Sequence, residues 1–364
     1  MNIIIFLAIL LILVLVHEWG HFFSAKKFGI RVDEFGFGFP PKLFGVKKGE
    51  TEYTFNLIPF GGFVKIFGEN PDDENTNGPD RDRSFVNKPK WQQAVVLFAG
   101  VFMNFVLAGF LFSIVFLMGS PLATNSIPSS AKERMSEYSI ILGVLKDGPA
   151  YVAGLKEGDI ILSLETKSEK ISNPTFSELV EFSNQSGKTI HVSFTRQGKE
   201  YSVDVIPELD TELGRAFIGV SPATLSSGKF NFYESFKYGF GTAALSAKDT
   251  VISFGKLLKG GEDSKLARES VVGPVGLVKV TGFVYAIGIG YLISFMAVIS
   301  ISLAVINLVP FPALDGGRLF FLLIEAIKGS RMNTKVINMI NMVGFFALIG
   351  LMLFVTYKDI VKLF

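Results

Sequence analysis

The first chemically distinctive feature of the chain is the pentapeptide HEWGH at residues 17–21. On a helix, positions four residues apart lie on one face, so the imidazoles of His17 and His21 can bind the same metal ion. The carboxylate of Glu18 lies beside them, where it can take a proton from a metal-bound water and later deliver it to a leaving amine. This spacing predicts the chemistry of a zinc metalloprotease.

A catalytic zinc site takes three protein ligands and keeps one position for water, so a third ligand must come from elsewhere. The sequence has no cysteine and three histidines. The third, His191, lies in an alternating segment typical of a surface strand.

Asp315 follows a stretch in which Pro310 and Pro312 must interrupt an apolar helix, and irregular backbone at membrane depth is buried or lines a wet cavity. From the residues alone, Asp315 is explained equally well as the N-cap of a helix over residues 318–327.

The composition of the 364-residue chain places these residues in a membrane protein. Hydrophobic residues make up 49% of the sequence and charged residues 19%, which is too apolar for an ordinary soluble protein. Four apolar stretches are long enough, or nearly so, to cross a bilayer as helices: 2–16 with its continuation into the histidine pair, 94–118, 283–308 and 336–356. The formal net charge is +2 and no block of like charge stands out, so nucleic-acid binding has no support.

Lysine and arginine predict the orientation of these stretches. Both the loop between the first two stretches and the loop between the last two are rich in basic residues, which predicts that they are cytoplasmic. The N-terminus, residues 120–280 and the C-terminus then lie outside.

Within this outer segment, residues 140–207 have the pattern of a soluble domain. The string GPAYVAGLKEGDIIL at 148–162 looks like the core of a PDZ domain, and a helix near 176–182 and two strands within 190–206 are predicted to follow. PDZ domains generally bind peptide ends by β-augmentation. Here residues 165–168, ETKS, replace the expected Asn-Gly turn, so the fold is better supported than the peptide binding.

Two further segments are predicted to connect these parts. Residues 230–258 are aromatic-rich with helical spacing, which predicts an interfacial helix that is either part of a gate or a simple anchor. Between the first two apolar stretches, residues 52–58 and 61–66 are predicted strands joined by a turn at 59–62. Such a hairpin either pairs with an extended substrate or has a structural role only.

Several motifs in this order make the sequence resemble the site-2 proteases, and among them the bacterial regulator-of-sigma-E type of membrane zinc metalloprotease. The motifs are HEWGH at 17–21, GFGFP at 36–40, LIPFGGFVK at 57–65, GVFMN at 100–104, GPVG at 273–276 and NLVPFPALDGG at 307–317. The resemblance covers essentially the whole chain.

The resemblance implies that His17, His21 and Asp315 bind one zinc ion and that Glu18 is the catalytic base. It also implies a set of substrate-contacting residues, which are Asn307, Pro310, Pro312 and Asn104. Asn307 would hold the substrate backbone or polarise the scissile carbonyl. For both asparagines a role in helix packing stays open, because polar residues within spans often have that role.

The implied fold is a polytopic α-helical membrane protein with about four transmembrane helices, a membrane-associated, reentrant β-hairpin and one α+β PDZ-like extracytoplasmic domain. Residues 1–120 form the first membrane half, with the zinc motif, the β loop and the second span. Residues 121–228 form the PDZ-like domain and residues 229–280 an amphipathic linker back to the membrane. Residues 281–364 form the second membrane half, with the LDGG motif and the last span.

The implied function is intramembrane cleavage of single-span membrane proteins, such as anti-sigma-factor remnants or leftover signal peptides. An upstream site-1 protease first shortens the outer part of the substrate, and the PDZ-like domain acts as a size filter. The implied location is the bacterial inner membrane, with the active site toward the cytoplasm.

Two other functions account for parts of the sequence. A catalytically inactive membrane adaptor would bind partners through the PDZ-like domain, but every expected catalytic residue is present. A metal transporter would explain ligands within a span, but transport needs ionisable residues along a pathway through several spans, which the sequence lacks. The protease interpretation therefore ranks first.

Overall fold

The apolar stretches of the sequence form long helices. The structure is a computed structural model that describes the chain except for residues 71–72, 124–125, 185–186, 197, 211–213, 260–271 and 362–364. The helices in the described residues are α1 Asn2–Lys27, α2 Asp73–Asn77, α3 Lys90–Met118, α4 Ser129–Lys132, α5 Pro149–Val152, α6 Phe176–Ser183, α7 Phe232–Lys259, α8 Pro274–Ile287, α9 Ile289–Leu308, α10 Asp315–Lys328 and α11 Thr334–Val361, with 3₁₀ turns at Arg81–Arg83 and Phe85–Asn87. Four of them, α1, α3, α9 and α11, are long and apolar enough to cross a membrane, as the sequence predicts.

The third predicted span is shorter than the apolar stretch 283–308. Helix α8 ends at Ile287 and α9 begins at Ile289, so the stretch is broken at Gly288. Apolar residues continue on both sides of Gly288, and hydropathy therefore does not locate this break. Of these two helices, only α9 is long enough to cross a membrane.

The strands between α1 and α3 form a longer hairpin than predicted. Strands β1 (Val32–Lys48) and β2 (Thr51–Ile66) pair antiparallel around a turn at Gly49, whose φ of 66° favours glycine. The predicted reversal at 59–62 is present, because Thr54 and Phe63 both pair with Gly36 and the chain changes direction between them. The two predicted strands, however, pair with opposite edges of β1 rather than with each other. Phe37 pairs with both Phe55 and Gly62, so β2 bends around β1 and contacts it on both edges.

The described residues fall into two compact units. The membrane unit comprises Met1–Phe110, Ser246–Gly282 and Met296–Phe364. The sheet unit comprises Leu111–Leu245 and Phe283–Phe295, and it contains the predicted outer domain 121–228.

The sheet unit is built on a seven-stranded antiparallel sheet with the order β3-β11-β4-β5-β7-β8, in which β6 pairs with β5. The strands are β3 Leu122–Ala123, β4 Ser136–Val144, β5 Ile160–Glu165, β6 Lys170–Ser172, β7 Ile190–Arg196, β8 Lys199–Val205 and β11 Val220–Ser227, and a separate pair is β9 Glu208–Asp210 with β10 Arg215–Phe217. Helix α6 begins with a capping box between Thr175 and Glu178, and it buries Leu179 and Phe182 in the apolar core of this unit. The predicted helix near 176–182 and the two strands within 190–206 are confirmed.

Candidate metal centre

The two histidines of the HEWGH motif lie on the buried face of α1. His17 is 8% exposed and His21 is 7% exposed, and their rings meet edge to face. The Oδ2 atom of Asp315 lies 3.1 Å from His17 Nε2 and 3.4 Å from His21 Nε2, and the two Nε2 atoms are 3.2 Å apart. Residues from the two ends of the sequence thus bring three lone-pair atoms to one point.

Glycines allow α1 and α3 to approach closely at this point. A Cβ atom at Gly20 would lie 2.4 Å from the backbone oxygen of Ala99. A Cβ atom at Gly100 would lie 2.4 Å from His21 Nε2 and 2.8 Å from His17 Cε1. Any larger residue at Gly100 would therefore occupy the space that the imidazoles need.

Helix α3 also contacts the outer nitrogen of each imidazole. His21 Nδ1 lies 2.8 Å from the backbone oxygen of Val96, which can only accept a hydrogen bond. The Nδ1 atom of His17 lies 3.5 Å from the side-chain amide of Asn104.

Asp315 is positioned by an irregular turn. Helix α9 ends at Leu308 and α10 begins at Asp315, so the prolines interrupt the helix as predicted. Within the turn, Ala313 has a φ of 73°, and its N–H donates to the side-chain oxygen of Asn341 on α11. A Cβ atom at Gly316 would lie 2.3 Å from the backbone oxygen of Val309, so the turn closes only around glycine.

Asp315 is the first residue of α10 rather than its N-cap. The N-cap is Leu314, and no side chain caps this helix. The carboxylate of Asp315 instead points at the two histidines. Of the two interpretations that the sequence left open, the structure is consistent with the metal-ligand interpretation.

Glu18 lies on the side of α1 that faces the hairpin. Its half-buried carboxylate faces the backbone N–H of Val64 in β2 and is within electrostatic range of both histidines. Arg318, one turn beyond Asp315, forms an ion pair with Glu69 just after β2. Burial lowers the pKa of Arg318, and the nearby Glu18 carboxylate acts in the opposite direction.

This donor set fits a zinc ion. Two imidazoles and one carboxylate, all with donor atoms within 4.8 Å of one another, are a known ligand set of catalytic zinc sites. The Oδ2 atom of Asp315 is buried, and among the described residues no backbone N–H and no lysine or arginine side chain donates to it. A buried carboxylate oxygen without a counter-charge is costly, and a cation at this point would remove the cost.

Comparison with known proteins agrees with this geometry. The sequence profile of peptidase family M50 matches residues 5–351. The chain belongs to this family. A predicted zinc metalloprotease of Clostridium perfringens is 37% identical over 96% of this chain and 95% of its own length. The zinc metalloprotease RasP of Geobacillus kaustophilus is 30% identical over 100% and 98%, and the regulator of sigma-E protease RseP of Escherichia coli is 29% identical over 98% of each chain.

The M50 family membership confirms the resemblance to site-2 proteases. The protein is a zinc metalloprotease with four apolar helices of membrane-spanning length and a β domain. Its cofactor is zinc.

The predicted substrate-contacting residues are distributed around the centre. Asn307 is half-buried in the last turn of α9, Pro312 lies half-buried in the turn, and Pro310 is exposed. Asn104 is 1% exposed and lies against His17. His191 lies on β7 at the surface of the sheet unit and pairs with Asp204, as expected for a strand residue.

Sequence reasoning missed three contributors to the centre, namely Gly100, Val96 and Asn341. Gly100 belongs to the GVFMN motif, but its spatial role requires knowing that α3 packs against the histidines. The backbone oxygen of Val96 has no sequence signal. An asparagine within an apolar span is a signal for Asn341, because buried polar side chains in spans need partners.

Proposed function

We propose that this M50 metalloprotease is an intramembrane endopeptidase that cleaves transmembrane segments of single-span membrane proteins. The observation that carries the proposal is that the histidines and the glutamate lie within α1, a helix apolar enough to cross a membrane. A peptidase centre on such a helix is within reach of peptide bonds at membrane depth.

The roles of the residues follow from their chemistry. His17, His21 and Asp315 would hold the zinc ion. When bound, zinc supplies Lewis-acid activation of water and of the scissile carbonyl. The Glu18 carboxylate would accept the proton of the attacking water and pass it to the leaving amine. Asn307, with Pro310 and Pro312 shaping the turn beside it, would hold the substrate backbone.

The hairpin is the proposed platform for the substrate. Peptide bonds are hydrolysed in extended chains, so a transmembrane helix must unwind before cleavage, and pairing with a strand would stabilise the unwound form. Two observations support this role for β2. The backbone of Val64 faces the Glu18 carboxylate, and the hairpin exposes apolar side chains such as Leu57. The hairpin is proposed to be reentrant in the membrane.

We further propose that residues 121–228 form a PDZ-like extracytoplasmic domain that limits the size of substrates. The observations behind this proposal are the GPAYVAGLKEGDIIL sequence and its place in an antiparallel sheet with the helix α6. Residues 1–120 and 281–364 would be the membrane halves, and 229–280 the linker.

The proposed location is the bacterial inner membrane, with the active site toward the cytoplasm. A relative is named regulator of sigma-E protease. By analogy, anti-sigma-factor remnants and leftover signal peptides are the proposed substrates, after a site-1 protease has removed most of the outer domain.

The test is cleavage of a tagged single-span reporter with a short outer segment, with wild type and Glu18→Gln at equal expression. Cleavage should collapse by orders of magnitude in Glu18→Gln while zinc is retained, because only the base is removed. A reporter with a folded outer domain should resist the wild type. A wild type that binds zinc and cuts no reporter of a panel would favour the adaptor function instead.

A further inference from the structure

The side-chain amide of Asn104 makes no short hydrogen bond with the described residues. The side chain is almost fully buried on α3. Its Nδ2 lies 3.5 Å from His17 Nδ1, which is long for a hydrogen bond, and its buried Oδ1 accepts from none of the described residues. A buried acceptor without a donor is unfavourable, so this group needs an explanation.

The way in which the histidines would bind a metal ion shows which hydrogen bond is missing. Both Nε2 atoms face Asp315 Oδ2, so a metal ion at this point would be bound through Nε2. A neutral imidazole that binds through Nε2 carries its proton on Nδ1, and that N–H needs an acceptor. For His21 the acceptor is the Val96 oxygen at 2.8 Å. For His17 the side chain within reach is Asn104.

The two ends of an amide have nearly the same shape, so the orientation of Asn104 is fixed by its hydrogen bonds rather than by its outline. With Nδ2 toward His17, the imidazole would carry its proton on Nε2, where a metal ligand needs a free lone pair. Rotation of the amide by half a turn places Oδ1 opposite Nδ1–H. The rotation gives the orphan oxygen a donor and leaves Nε2 free for the metal.

We propose that Asn104 is a positioning residue whose Oδ1 accepts from His17 Nδ1–H and fixes the zinc-binding tautomer. Asn104 therefore acts through His17 rather than on the substrate. This proposal rests on the proposed ligation of zinc by His17 and deepens it.

The spacing on α3 supports the assignment. Val96, Gly100 and Asn104 are four residues apart and form one face of the helix. Val96 supplies an acceptor to His21, Asn104 lies beside His17 Nδ1, and the glycine between them leaves room for both imidazoles. The Ser300 hydroxyl on α9 donates to the backbone oxygen of Asn104 at 2.8 Å and anchors this end of the face.

The test measures zinc affinity by chelator competition in the full chain, for wild type and three variants. Asn104→Leu removes the acceptor at similar size and should weaken zinc binding about 10- to 100-fold. Asn104→Asp keeps an acceptor and should stay within a few-fold of wild type. Ser300→Ala disturbs only the backbone anchor and should also bind zinc like wild type.

Two further readouts separate positioning from packing or substrate contact. With only three histidines in the chain, ¹⁵N-histidine NMR of the zinc-loaded protein should show an Nδ1–H proton on His17 that is hydrogen-bonded in wild type and Asn104→Asp but not in Asn104→Leu. In reporter cleavage, Asn104→Leu should lower kcat and leave KM unchanged.

Wild-type zinc affinity and an unchanged His17 spectrum in Asn104→Leu would overturn the proposal, as would equal losses in Asn104→Asp and Asn104→Leu. If wild type itself bound no zinc, the proposed metal ligation would fail first. The zinc titration of wild type thus distinguishes the two failures.

Discussion

Asp159 in the sheet unit and Asp315 in the membrane unit each lie in a polar cluster, and the two clusters differ in which groups surround the carboxylate. In the sheet unit, Asp159 is 0% exposed, and both its oxygens accept from Arg196 at 2.7 Å. The backbone N–H of Lys156 donates to it as well. In the membrane unit, the Oδ2 atom of Asp315 faces two imidazole nitrogens, and no lysine, arginine or backbone N–H of the described residues donates to it.

The difference separates a structural cluster from a functional one. Asp159 has a complete set of donors and a counter-charge, so it fixes the loop that precedes β5 and needs nothing more. At Asp315 three potential metal ligands converge with no counter-charge of the described residues beside the carboxylate, an arrangement that a bound cation would stabilise. The missing counter-charge beside the Asp315 carboxylate, rather than a buried charge as such, therefore distinguishes the centre.

The largest effect is expected from Asp315→Asn, which removes the anionic ligand and keeps the shape. Reporter cleavage should fall by about 10³-fold or more, because zinc supplies the activation of water. Zinc content after purification should fall with it, while the circular dichroism spectrum stays that of wild type. A variant with full zinc content would contradict the role of Asp315 as ligand.

Asp159→Ala should produce the opposite pattern. The Arg196 charge would lose its partner, which is expected to destabilise the sheet unit by about 3–5 kcal/mol. Urea unfolding would measure this loss, and zinc affinity should not change. The matched control is Asp204→Ala, which breaks the exposed pair with His191 and should cost about 0–1 kcal/mol. Equal effects of the two substitutions would remove the contrast between buried and exposed pairs.

Gly100→Ala tests the space between the helices. The added Cβ would lie 2.4 Å from His21 Nε2, and a displacement of the imidazole by about 1 Å is expected to lower cleavage about 10²-fold. The control is Gly350→Ala on α11, where no atom lies within 4 Å of the added Cβ. Normal cleavage by both variants would show that the histidines tolerate a larger neighbour.

The smallest effect is expected from Asn341→Ala. It removes the acceptor of the Ala313 N–H and loosens the turn that holds Asp315, at a cost of about 1 kcal/mol. Zinc affinity should fall several-fold, in line with that free energy. Asn341→Asp keeps the acceptor oxygen and should restore most of the affinity. A loss as large as that of Asp315→Asn would mean that Asn341 does more than hold the turn.

The parts of this centre that the sequence predicts are those fixed by regular geometry. The helical period alone places His17 and His21 on one face, and the apolar runs predict the four long helices. The ligand role of Asp315 needed the resemblance to a family, because no period relates it to the histidines. The contacts of Gly100 and Asn341 depend on how distant helices pack, which local patterns do not encode.

The pairing of the hairpin also depends on distant residues. Pro-Phe-Gly-Gly at 59–62 is a strong local turn signal, and the chain does reverse there. The segments on either side of the reversal pair with opposite edges of β1 rather than with each other. Local patterns thus predict the reversal but not the partner strand, and hydropathy does not locate the break between α8 and α9.

The separation of the proposed ligands along the chain also delays the assembly of the zinc site during translation. Asp315 is translated about 300 residues after His17 and His21. At ~5–20 residues per second this interval lasts about 15–60 s. During that interval the nascent chain has two of the three ligands that a catalytic zinc site needs. With Asp315 as the proposed third ligand, the nascent peptidase would stay inert beside other newly inserted helices until Asp315 has been made.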